Sequence, residues 1–252
     1  MSKYLASKNV IITGASSGIG RACAVSISKA GARVHLIGRN ESTLLEAKAD
    51  LYGSGHFIHV KDLSSTDMVS ELVSSIVSLH GQITGFIHSA GFQITKPSRS
   101  MKSHEYIDLY QTNAVSAFDI VKELSKSKRF DPAGSSVVFI SSIMSILANP
   151  GLAGYCASKA ALVAGAKVLA LELAPKKVRV NCISPGFIED TKMMNQLSDH
   201  LSDDELSRLK QGYPLGLGTS QDVASLCLFL LSDESRWITG QNIVIDGGYT
   251  AR

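Results

Sequence analysis

The sequence predicts a doubly wound α/β protein in which helices flank a single parallel sheet of about seven strands. Three observations support this prediction. Short runs rich in β-branched residues are apolar throughout, as expected for strands that are buried on both faces. Longer segments of helical period separate these runs, and parallel strands need such crossover connections. No Pro- or Ser-rich linker divides the chain, so residues 1–252 are interpreted as one domain.

Strands and helices alternate regularly along most of the chain. The first half predicts, in order, a strand at 9–13, a helix at 21–31, a strand at 33–38, a helix at 41–51, a strand at 56–60 and a helix at 66–79. The second half predicts a strand at 83–91, a helix from about 103 to 128, a strand at 135–142, a helix from about 153 to 174, a strand at 178–186, a helix near 220–232 and a last strand at 241–246. An irregular polar segment at about 187–212 interrupts this pattern. A segment of that length in a compact domain is typical of a functional lid, and an extra pair of surface helices is the alternative.

Composition and charge exclude several classes of protein. The chain has 44% hydrophobic and 19% charged residues, which is typical of an ordinary globular protein. A net charge of +3 without long basic runs argues against a nucleic-acid partner. The four cysteines show no Cys-x-x-Cys pair and no zinc-site spacing, so no metal is expected. No apolar stretch reaches the roughly 20 residues of a membrane span, and the start does not look like a signal peptide. The expected location is the cytoplasm, with no membrane partner.

A glycine-rich turn, TGASSGIG at 13–20, directly follows the first strand and precedes the first helix. Gly14, Gly18 and Gly20 allow a tight turn and a close approach of the backbone to a ligand. The helix that follows directs free N–H groups and a partial positive charge at the turn. The pattern therefore predicts that a dinucleotide binds here through its pyrophosphate, as in Rossmann-like folds.

The end of the second strand, HLIGRN, indicates which dinucleotide binds. An acidic residue at this place usually accepts hydrogen bonds from the adenosine ribose, but here Gly38 is followed by Arg39. A cation suits an added 2′-phosphate better than a carboxylate does. NADP(H) is therefore predicted over NAD(H), with the alternative that Arg39 simply faces water.

An ordered series of short motifs resembles the short-chain dehydrogenase/reductase family over nearly the whole chain. The motifs are TGASSGIG, KDLSS, HSAG, TNAVSAF, ISS, YCASK, VRVNCISPG and ITGQNIVIDGG. In YCASK, Tyr155 and Lys159 are four residues apart, so on a helix they share one face. The family has an active-site serine thirteen residues before its tyrosine, and Ser142 stands at that distance from Tyr155. The resemblance implies an oxidoreductase that transfers a hydride between nicotinamide and a carbonyl or secondary alcohol.

The chemistry implied by the resemblance can be assigned to individual side chains. In reduction, Tyr155 would give a proton to the carbonyl oxygen and Ser142 would hold that oxygen. To act as a base near neutral pH, the phenol needs its pKa lowered by about 3 units, or roughly 4 kcal/mol. A cation about 4 Å away at an effective dielectric constant near 20 supplies about that much, and Lys159 is expected to be that cation. The resemblance also implies that Lys159 binds the nicotinamide ribose and that Asn113 holds a relay water, although the residues alone would indicate a surface or capping role for Asn113.

The resemblance and the glycine-rich turn together define a set of cofactor-binding residues. These are Gly14, Ser16, Ser17, Gly18, Ile19, Gly20, Arg39, Asn40, Asp62, Leu63, His88, Ala90, Gly91, Tyr155, Lys159, Pro185, Gly186, Ile188 and Thr191. HSAG replaces the family's usual Asn-Asn-Ala-Gly, and a structural role for His88 is preferred over a role as a base. The family commonly has a threonine for the nicotinamide carboxamide five positions after the proline. That position is Asp190 here, and Thr191 is one residue later.

The likeness is greatest to 3-oxoacyl-acyl-carrier-protein reductases, so the substrate expected is a small carbonyl compound, with a 3-oxoacyl thioester as the leading candidate. An acidic acyl carrier protein would be helped by basic residues near the pocket, for which the candidates are Lys126, Lys128, Arg129, Lys176 and Lys177. Other ketones, sugars or steroid-like alcohols are alternatives. A non-catalytic NADP-binding sensor is less consistent with the retained Tyr155 and Lys159, and an epimerase or dehydratase usually has a longer chain. The two long helices are apolar on more than one stripe, and the resemblance implies a homodimer or homotetramer through them.

Overall fold

The computed structural model describes residues 4–64, 68–192, 194 and 202–251, and it confirms the predicted fold class. The seven strands are β1 (Asn9–Thr13), β2 (Arg33–Gly38), β3 (Phe57–Val60), β4 (Gly85–His88), β5 (Ser135–Ile140), β6 (Val178–Pro185) and β7 (Asn242–Ile245). They form one sheet in the order β3-β2-β1-β4-β5-β6-β7, and each neighbouring pair is parallel. All residues of β1, β4 and β5 are buried, as their continuous apolar runs predicted.

Eight α-helices lie within the described ranges. They are α1 (Gly18–Lys29), α2 (Glu41–Ala49), α3 (Val69–His80), α4 (Ser103–Tyr110), α5 (Ser116–Leu124), α6 (Ala153–Leu173), α7 (Asp203–Gln211) and α8 (Ser220–Leu231). The single helix predicted over about 103–128 is divided, because a π-helical turn at Gln111–Val115 separates α4 from α5. No helix in these ranges is long and apolar enough to cross a membrane.

Each face of the sheet is covered by its own group of helices. On one face, α3, α5 and α6 contribute residues such as Ile76, Ile120 and Leu162 to a core around Phe86. On the other face, α1, α2 and α8 pack around Ile12 and form a second buried cluster with it. The two clusters produce a three-layer arrangement with the sheet in the middle.

The strand order fixes the position of the functional cleft. The chain moves outward from β1 to β2 and β3, then returns to β4 on the other side of β1. In such sheets, ligands bind at the carboxyl ends of the strands where the direction of winding reverses. Here Thr13 and His88 are paired at that point, where β1 and β4 end side by side.

The predicted lid at about 187–212 is described only in part. Residues 193 and 195–201 lie outside the described residues. Residues 187–192 follow β6, and Ile188 bridges to Gly218. Helix α7 covers much of the remaining part, with Ser202 and Glu205 forming a capping box at its start. A lid function for this segment stays a prediction.

Candidate active site

A cleft of ≈ 470 Å³ opens at the carboxyl ends of the strands, within the usual size range of small-molecule sites. Most of the predicted site residues line it: Gly14, Ser16, Ser17, Gly18, Ile19, Arg39, Asp62, Leu63, Ala90, Gly91, Ser142, Tyr155, Lys159, Pro185, Gly186, Ile188 and Thr191. The structure thus brings together side chains and backbone from the ends of six strands, β1 to β6, and from helix α6. Their individual roles remain predictions.

The glycine-rich turn has the geometry required to cradle a pyrophosphate. Gly14 has φ +64°, and a Cβ added there would lie 2.8 Å from the backbone nitrogen of Ala90. Gly18 has φ +50° and opens α1, whose N-cap residue Ser17 makes no side-chain capping bond. The free N–H groups of the first turn of α1, which contains no acidic residue, therefore face the cleft. The site fits a dinucleotide phosphate because these N–H groups line the cleft, whereas glycine at position 14 allows the turn to pack against the backbone of Ser89 and Ala90.

Gly20 lies behind the turn and is outside the cleft lining over the described residues. A Cβ at this position would collide with the Gly14 carbonyl. Gly20 therefore allows helix α1 to pack closely against the turn, and its contact with the cofactor stays a prediction.

The far end of the cleft is formed by the ends of β2 and β3. Arg39, Lys61 and Asp62 lie side by side in its lining. A hydrogen bond from the Ser64 backbone N–H at 2.9 Å, together with the nearby Arg39 guanidinium, holds the pKa of the Asp62 carboxyl below its usual range. This end therefore presents two cations and an ionised carboxylate. Lys61 was not predicted from the sequence, although it directly precedes Asp62 in KDLSS.

Asn40 is the N-cap residue of α2, and its side chain accepts from the Thr43 backbone N–H at 3.1 Å. Its contact with the cofactor stays a prediction. Ser42 Oγ also donates to Asn40 Oδ1 at 2.7 Å. These contacts hold the Asn40 side chain at the start of the helix. Asn40 is not among the described residues that line the cleft.

Ser142 and Tyr155 meet on one wall of the cleft. Ser142 follows β5 and caps a short 3₁₀ turn, with its Oγ accepting from the Met144 backbone N–H at 3.1 Å. Its hydroxyl hydrogen remains available, and a hydrogen bond between Ser142 and Tyr155 lowers the pKa of the phenol. The adjacent Ser141 instead donates to the Lys159 carbonyl at 3.0 Å and anchors α6. The spacing argument that selected Ser142 over Ser141 agrees with this arrangement.

Tyr155 and Lys159 both lie in the first two turns of α6, and both are almost fully buried, at 6% and 5% exposure. Burial raises the pKa of Tyr155 to about 12, and burial lowers the pKa of Lys159 to about 8. Lys159 Nζ donates to the Ile140 carbonyl at 2.8 Å and lies 5.9 Å from the centre of the Tyr155 ring. The expected lowering of the Tyr155 pKa by Lys159 is therefore not observed: loss of solvation raises the pKa and outweighs the lowering by the hydrogen bond with Ser142.

Asn113 lies in the π-helical turn between α4 and α5 and is fully buried. Its Oδ1 accepts from the Phe92 backbone N–H at 2.9 Å, and its Nδ2 donates to the Phe92 carbonyl at 3.0 Å and to Ser158 Oγ at 2.9 Å. A Cβ added at Gly91 would lie 3.0 Å from Asn113 Oδ1 and 3.3 Å from Lys159 Nζ. Asn113 therefore lies beside Lys159 and fixes the loop after β4. Periodicity alone indicated a surface residue, because it does not reveal the π turn.

His88 is one of the predicted cofactor contacts, and that contact stays a prediction. Its side chain is fully buried at the end of β4 and is outside the cleft lining over the described residues. Its Nδ1 lies 2.9 Å from Thr13 Oγ1, and burial lowers its pKa to about 3. The residues that follow it, Ser89 and Ala90, form the cleft surface instead. His88 is therefore a buried neutral residue behind the site.

The structure separates the roles of Asp190 and Thr191. Asp190 Oδ1 accepts from the backbone N–H and the hydroxyl of Ser220, at 2.8 and 2.9 Å, at the start of α8. Thr191 lines the cleft, and its methyl group approaches the position where a Gly18 Cβ would be, at 3.4 Å. Thr191 Oγ1 donates to the Ile188 carbonyl at 2.9 Å. Asp190 occupies the position of the family's threonine but bonds to Ser220. The hydroxyl in the cleft is therefore that of the next residue, Thr191.

The basic residues suggested for binding an acyl carrier protein lie at the opposite end of the sheet. Lys126, Lys128 and Arg129 occupy the connection that enters the amino end of β5, and Lys176 and Lys177 the connection that enters β6. Lys126 and Arg129 form ion pairs with Glu123, each at 2.7 Å. The suggestion that these residues adjoin the pocket is wrong, because connections from helix to strand are remote from the carboxyl ends of the strands.

Apolar side chains line another part of the cleft: Ile143, Met144, Leu152, Phe187 and Met194. The sequence predicts pocket walls at Gln93, the 145–154 loop and the 187–212 segment, and Leu152, Phe187 and Met194 lie in these segments. Ile143 and Met144 were not predicted, because their place in the lining depends on tertiary packing.

Comparison with known proteins supports the assignment of this fold to a family. Residues 14–250 match the family described as Enoyl-(Acyl carrier protein) reductase. The 3-oxoacyl-[acyl-carrier-protein] reductase FabG of Chlamydia muridarum is 36% identical over 252 residues, covering 98% of this chain and 99% of the relative. Glucose 1-dehydrogenase of Gluconobacter oxydans is 31% identical over 97% of this chain and 92% of its own.

A solved structure extends the likeness to the whole fold. A short-chain type dehydrogenase/reductase from Mycobacterium marinum superposes with a TM-score of 0.88 at 29% identity, covering 99% of this chain and 98% of the other. Both the sequence and the architecture therefore match over essentially the full length, and the chain is an oxidoreductase that belongs to the short-chain dehydrogenase/reductase family.

Proposed function

We propose that the protein uses NADPH to reduce a 3-oxoacyl thioester to the 3-hydroxyacyl thioester. The observation that carries the proposal is the meeting of the Ser142 and Tyr155 hydroxyls on one wall of the cleft, with Lys159 buried beside them. The name of the 36% identical relative supports the thioester as substrate.

When bound, the reduced nicotinamide supplies the hydride to the carbonyl carbon. The substrate oxygen gains negative charge in this step, and Ser142 donates a hydrogen bond to it. Tyr155 donates its phenolic proton to the same oxygen, so that the product is a hydroxyl group. A phenol whose pKa is raised to about 12 holds its proton throughout the neutral range and is therefore ready to act as the acid.

Lys159 stabilises the phenolate that proton donation leaves on Tyr155. The ammonium group is buried, so its attraction to a nearby negative charge is stronger than it would be in water. With a pKa of about 8, Lys159 carries this charge at neutral pH and can also pass a proton to the phenolate, taking up another proton from the side of Asn113 and the loop at Gly91. Tyr155 regains its proton by this route.

The preference for NADP(H) over NAD(H) rests on the end of the cleft at β2 and β3. Arg39 and Lys61 provide two cations where an adenosine 2′-phosphate would lie, whereas the carboxylate at the end of the second strand that favours a free ribose is absent at Gly38 and Arg39. Asp62 is ionised and accepts hydrogen bonds, which suits the adenine amino group.

The apolar wall formed by Met144, Leu152, Phe187 and Met194 suits an acyl chain. A sugar substrate is the second candidate, because a relative that is 31% identical is named glucose 1-dehydrogenase and because Gln93 and Asn149 offer polar contacts in the same cleft. Delivery of the thioester by an acyl carrier protein is compatible with the proposal, with docking on a surface near the cleft mouth.

A substrate panel tests the proposal directly. NADPH oxidation is followed with acetoacetyl-coenzyme A, the same acyl group on an acyl carrier protein, and crotonyl-coenzyme A, and NADP⁺ reduction is followed with glucose. Turnover of the acetoacetyl thioesters with the greatest kcat/KM is expected. Faster turnover of glucose would favour the second candidate. Faster turnover of the crotonyl thioester would show that the enzyme reduces an enoyl group in preference to a carbonyl group. Tight NADPH binding without turnover of any compound would indicate a sensor.

Cofactor preference is tested by comparing KM for NADPH and NADH in the wild type and in Arg39→Ala. The variant is expected to raise KM for NADPH by about tenfold or more, because a charged hydrogen bond is lost, and to leave KM for NADH nearly unchanged. Lys48→Ala is the matched control, since Lys48 is an exposed cation on the neighbouring helix α2. A lower KM for NADH than for NADPH in the wild type would contradict the assignment.

The protein is also proposed to form a homodimer or homotetramer through α4, α5 and α6. Ile107 on α4 and Leu171 on α6 are apolar and 64% and 79% exposed. Burying such side chains against a second copy stabilises association. Light scattering that gave the mass of a single chain at micromolar concentration would exclude this assembly.

A further inference from the structure

The fully buried His88 forms only one side-chain hydrogen bond among the described residues, although it lies directly behind the candidate active site. Its Nδ1 is 2.9 Å from Thr13 Oγ1. Its Nε2 is buried and has no hydrogen-bond partner among the described residues. The backbone carbonyls of Thr112 and Asn113 lie near the imidazole and raise the pKa of His88, which opposes the lowering by burial. These two carbonyls belong to the π-helical turn Gln111–Val115.

The tautomer of His88 follows from the contacts of Thr13. Thr13 Oγ1 accepts from the backbone N–H groups of Ser89 at 3.2 Å and Ala90 at 3.3 Å. A hydroxyl has two lone pairs and one hydrogen, so both lone pairs are engaged and its hydrogen is donated to His88 Nδ1. In a neutral imidazole the other nitrogen then carries the hydrogen. His88 therefore directs an Nε2–H donor at the π turn.

The π turn has backbone carbonyls to satisfy. The change from the regular hydrogen bonds of α4 to the wider π pattern and back in α5 rearranges the partners of these carbonyls: the Gln111 carbonyl accepts from the Ser116 backbone N–H, and the Thr112 carbonyl accepts from Ser116 Oγ at 2.8 Å. A second buried donor without a partner among the described residues, Gln111 Nε2, lies in the same turn. Polar groups thus concentrate where the helix ladder is interrupted.

We propose that His88 is a positioning residue that holds the π turn through its Nε2–H and thereby fixes Asn113 beside Lys159. The imidazole would thus be hydrogen-bonded on one side to Thr13, the first residue of the glycine-rich turn, and on the other side to the π turn that contains Asn113. Asn113 in turn fixes the Phe92 backbone through two hydrogen bonds. The inference deepens the proposed reductase function, on which its kinetic consequence rests.

Two variants separate the donor from the bulk of the side chain. His88→Leu introduces an apolar side chain of similar size and removes both the hydrogen bond with Thr13 and the proposed hydrogen bond to the π turn. His88→Gln reaches about as far as Nε2 with an amide N–H and restores the donor to the π turn. Phe86→Leu is the matched control, because Phe86 is buried two residues earlier on β4, with its ring centre 6.3 Å from that of His88, and is outside the cleft lining over the described residues.

In His88→Leu, kcat for reduction is expected to fall between about 10- and 100-fold, since small displacements of a catalytic group have effects of this size. KM for NADPH is expected to stay within about threefold of wild type, because no cofactor contact is removed. His88→Gln should recover most of kcat. Phe86→Leu should lower Tm by about as much as His88→Leu does, while its kcat stays within about threefold of wild type.

Crystal structures of His88→Leu and His88→Gln give a readout that is independent of activity. A π turn converted to a regular α-helix in His88→Leu, with the Asn113 amide released from Phe92 and restored in His88→Gln, would support the proposal. An unchanged turn, or an equal kcat in the Leu and Gln variants, would overturn it. If the wild type turns over none of the carbonyl substrates, the proposed function fails, whereas the structures still decide the role of His88.

Discussion

Buried polar side chains are paired with one another toward the amino end of the sheet, whereas at the carboxyl end the buried Tyr155 and Lys159 line a cleft. His35 on β2 is fully buried and bonded at both nitrogens, with Nε2 2.9 Å from Asn9 Oδ1 and Nδ1 3.1 Å from His59 Nε2. Glu123 receives hydrogen bonds from Lys126 and Arg129. In contrast, Tyr155 and Lys159 are buried without an opposite charge.

The difference indicates where the protein stores unfavourable free energy. A buried polar group costs little when its hydrogen bonds are made and several kcal/mol when they are not. The amino end therefore stabilises the fold, whereas the carboxyl end keeps polar groups available for a ligand at a cost in stability. Mutations at the two ends are expected to have opposite consequences for activity and stability.

The largest effect is expected for Tyr155→Phe. Removing the proposed acid should lower kcat by about 10² to 10⁴, the usual contribution of general acid catalysis. Tm should be unchanged or slightly raised, because a buried hydroxyl is removed. Steady-state kinetics and thermal unfolding measure both quantities.

The control for Tyr155→Phe is Tyr213→Phe. Tyr213 is also buried, and its hydroxyl accepts from the Phe187 backbone N–H at 3.2 Å. We expect a fall in kcat of less than about tenfold, since the proposed proton transfer does not involve this hydroxyl. Near full turnover by Tyr155→Phe would remove Tyr155 as the acid.

Glu123→Gln should show the opposite pattern. Glu123 is 5% exposed and pairs with Lys126 and Arg129, so removal of its charge should lower the free energy of unfolding by on the order of 3 kcal/mol. kcat per folded molecule should be unchanged, because these residues are at the end of the sheet away from the cleft. Denaturant unfolding and an active-site titration with NADPH measure the two effects.

Asp119→Asn is the control for Glu123→Gln, since it breaks the pair with Lys122, whose side chain is 66% exposed. A loss of less than about 1 kcal/mol is expected there. If the two variants lost equal stability, the Glu123 cluster would have no special structural role.

Lys159→Met should abolish most activity and at the same time stabilise the fold. The pKa of Lys159 is lowered from 10.5 to about 8, so the charged form is disfavoured in the folded protein by up to about 3 kcal/mol below pH 8. Methionine fills the same space without that penalty. The free energy of unfolding at pH 7 should therefore rise, and Lys167→Met, at an exposed position on the same helix, should leave it nearly unchanged. A less stable Lys159→Met protein would show that the ammonium is well satisfied.

The wild-type pH profile provides a second readout for Lys159. Its charge is present below pH 8 and is lost as the pH rises through about 8. kcat for reduction should therefore be nearly constant from pH 6.5 to 7.5 and decline above pH 8, where the phenolate of Tyr155 loses its stabilising cation. A profile that stays level to pH 10 would contradict the assigned pKa.

Local periodicity and short spacings predicted the sheet, the glycine-rich turn and a shared helix face for Tyr155 and Lys159, whereas Ser142 was implied by the family resemblance. Patterns could not predict that Asn113 is buried, since its burial depends on a π turn that breaks helical periodicity. The pKa values of Tyr155 and Lys159 depend on burial by distant segments, so spacing alone gave the wrong direction for the phenol. Thr191 was predicted to lie at the site, whereas the contact of Asp190 with Ser220 at the start of α8 could not be predicted, since these residues are 30 positions apart.

The smallest expected effect concerns the two fully buried histidines at the two ends. His35 and His88 both have a pKa lowered to about 3 by burial, and each is also disfavoured as a cation by neighbours: His59, His80, Arg33 and His56 around His35, and Lys159 near His88. Because the unfolded chain binds protons at about pH 6.5 and the folded chain does not, stability is present above pH 6.5 and is lost as the pH falls toward 3. Each histidine should cost about 2 kcal/mol at pH 5.

Urea unfolding at pH 7.5 and pH 5 of the wild type, His35→Phe and His88→Leu measures this cost. Each variant should lose about 2 kcal/mol less than the wild type between the two pH values, since one acid-sensitive group is removed. Only His88→Leu should also reduce kcat, because only His88 faces the turn that carries Asn113. If His35→Phe reduced kcat as much, the contribution of His88 would be a general effect of core packing and the two ends of the sheet would not differ in the way proposed.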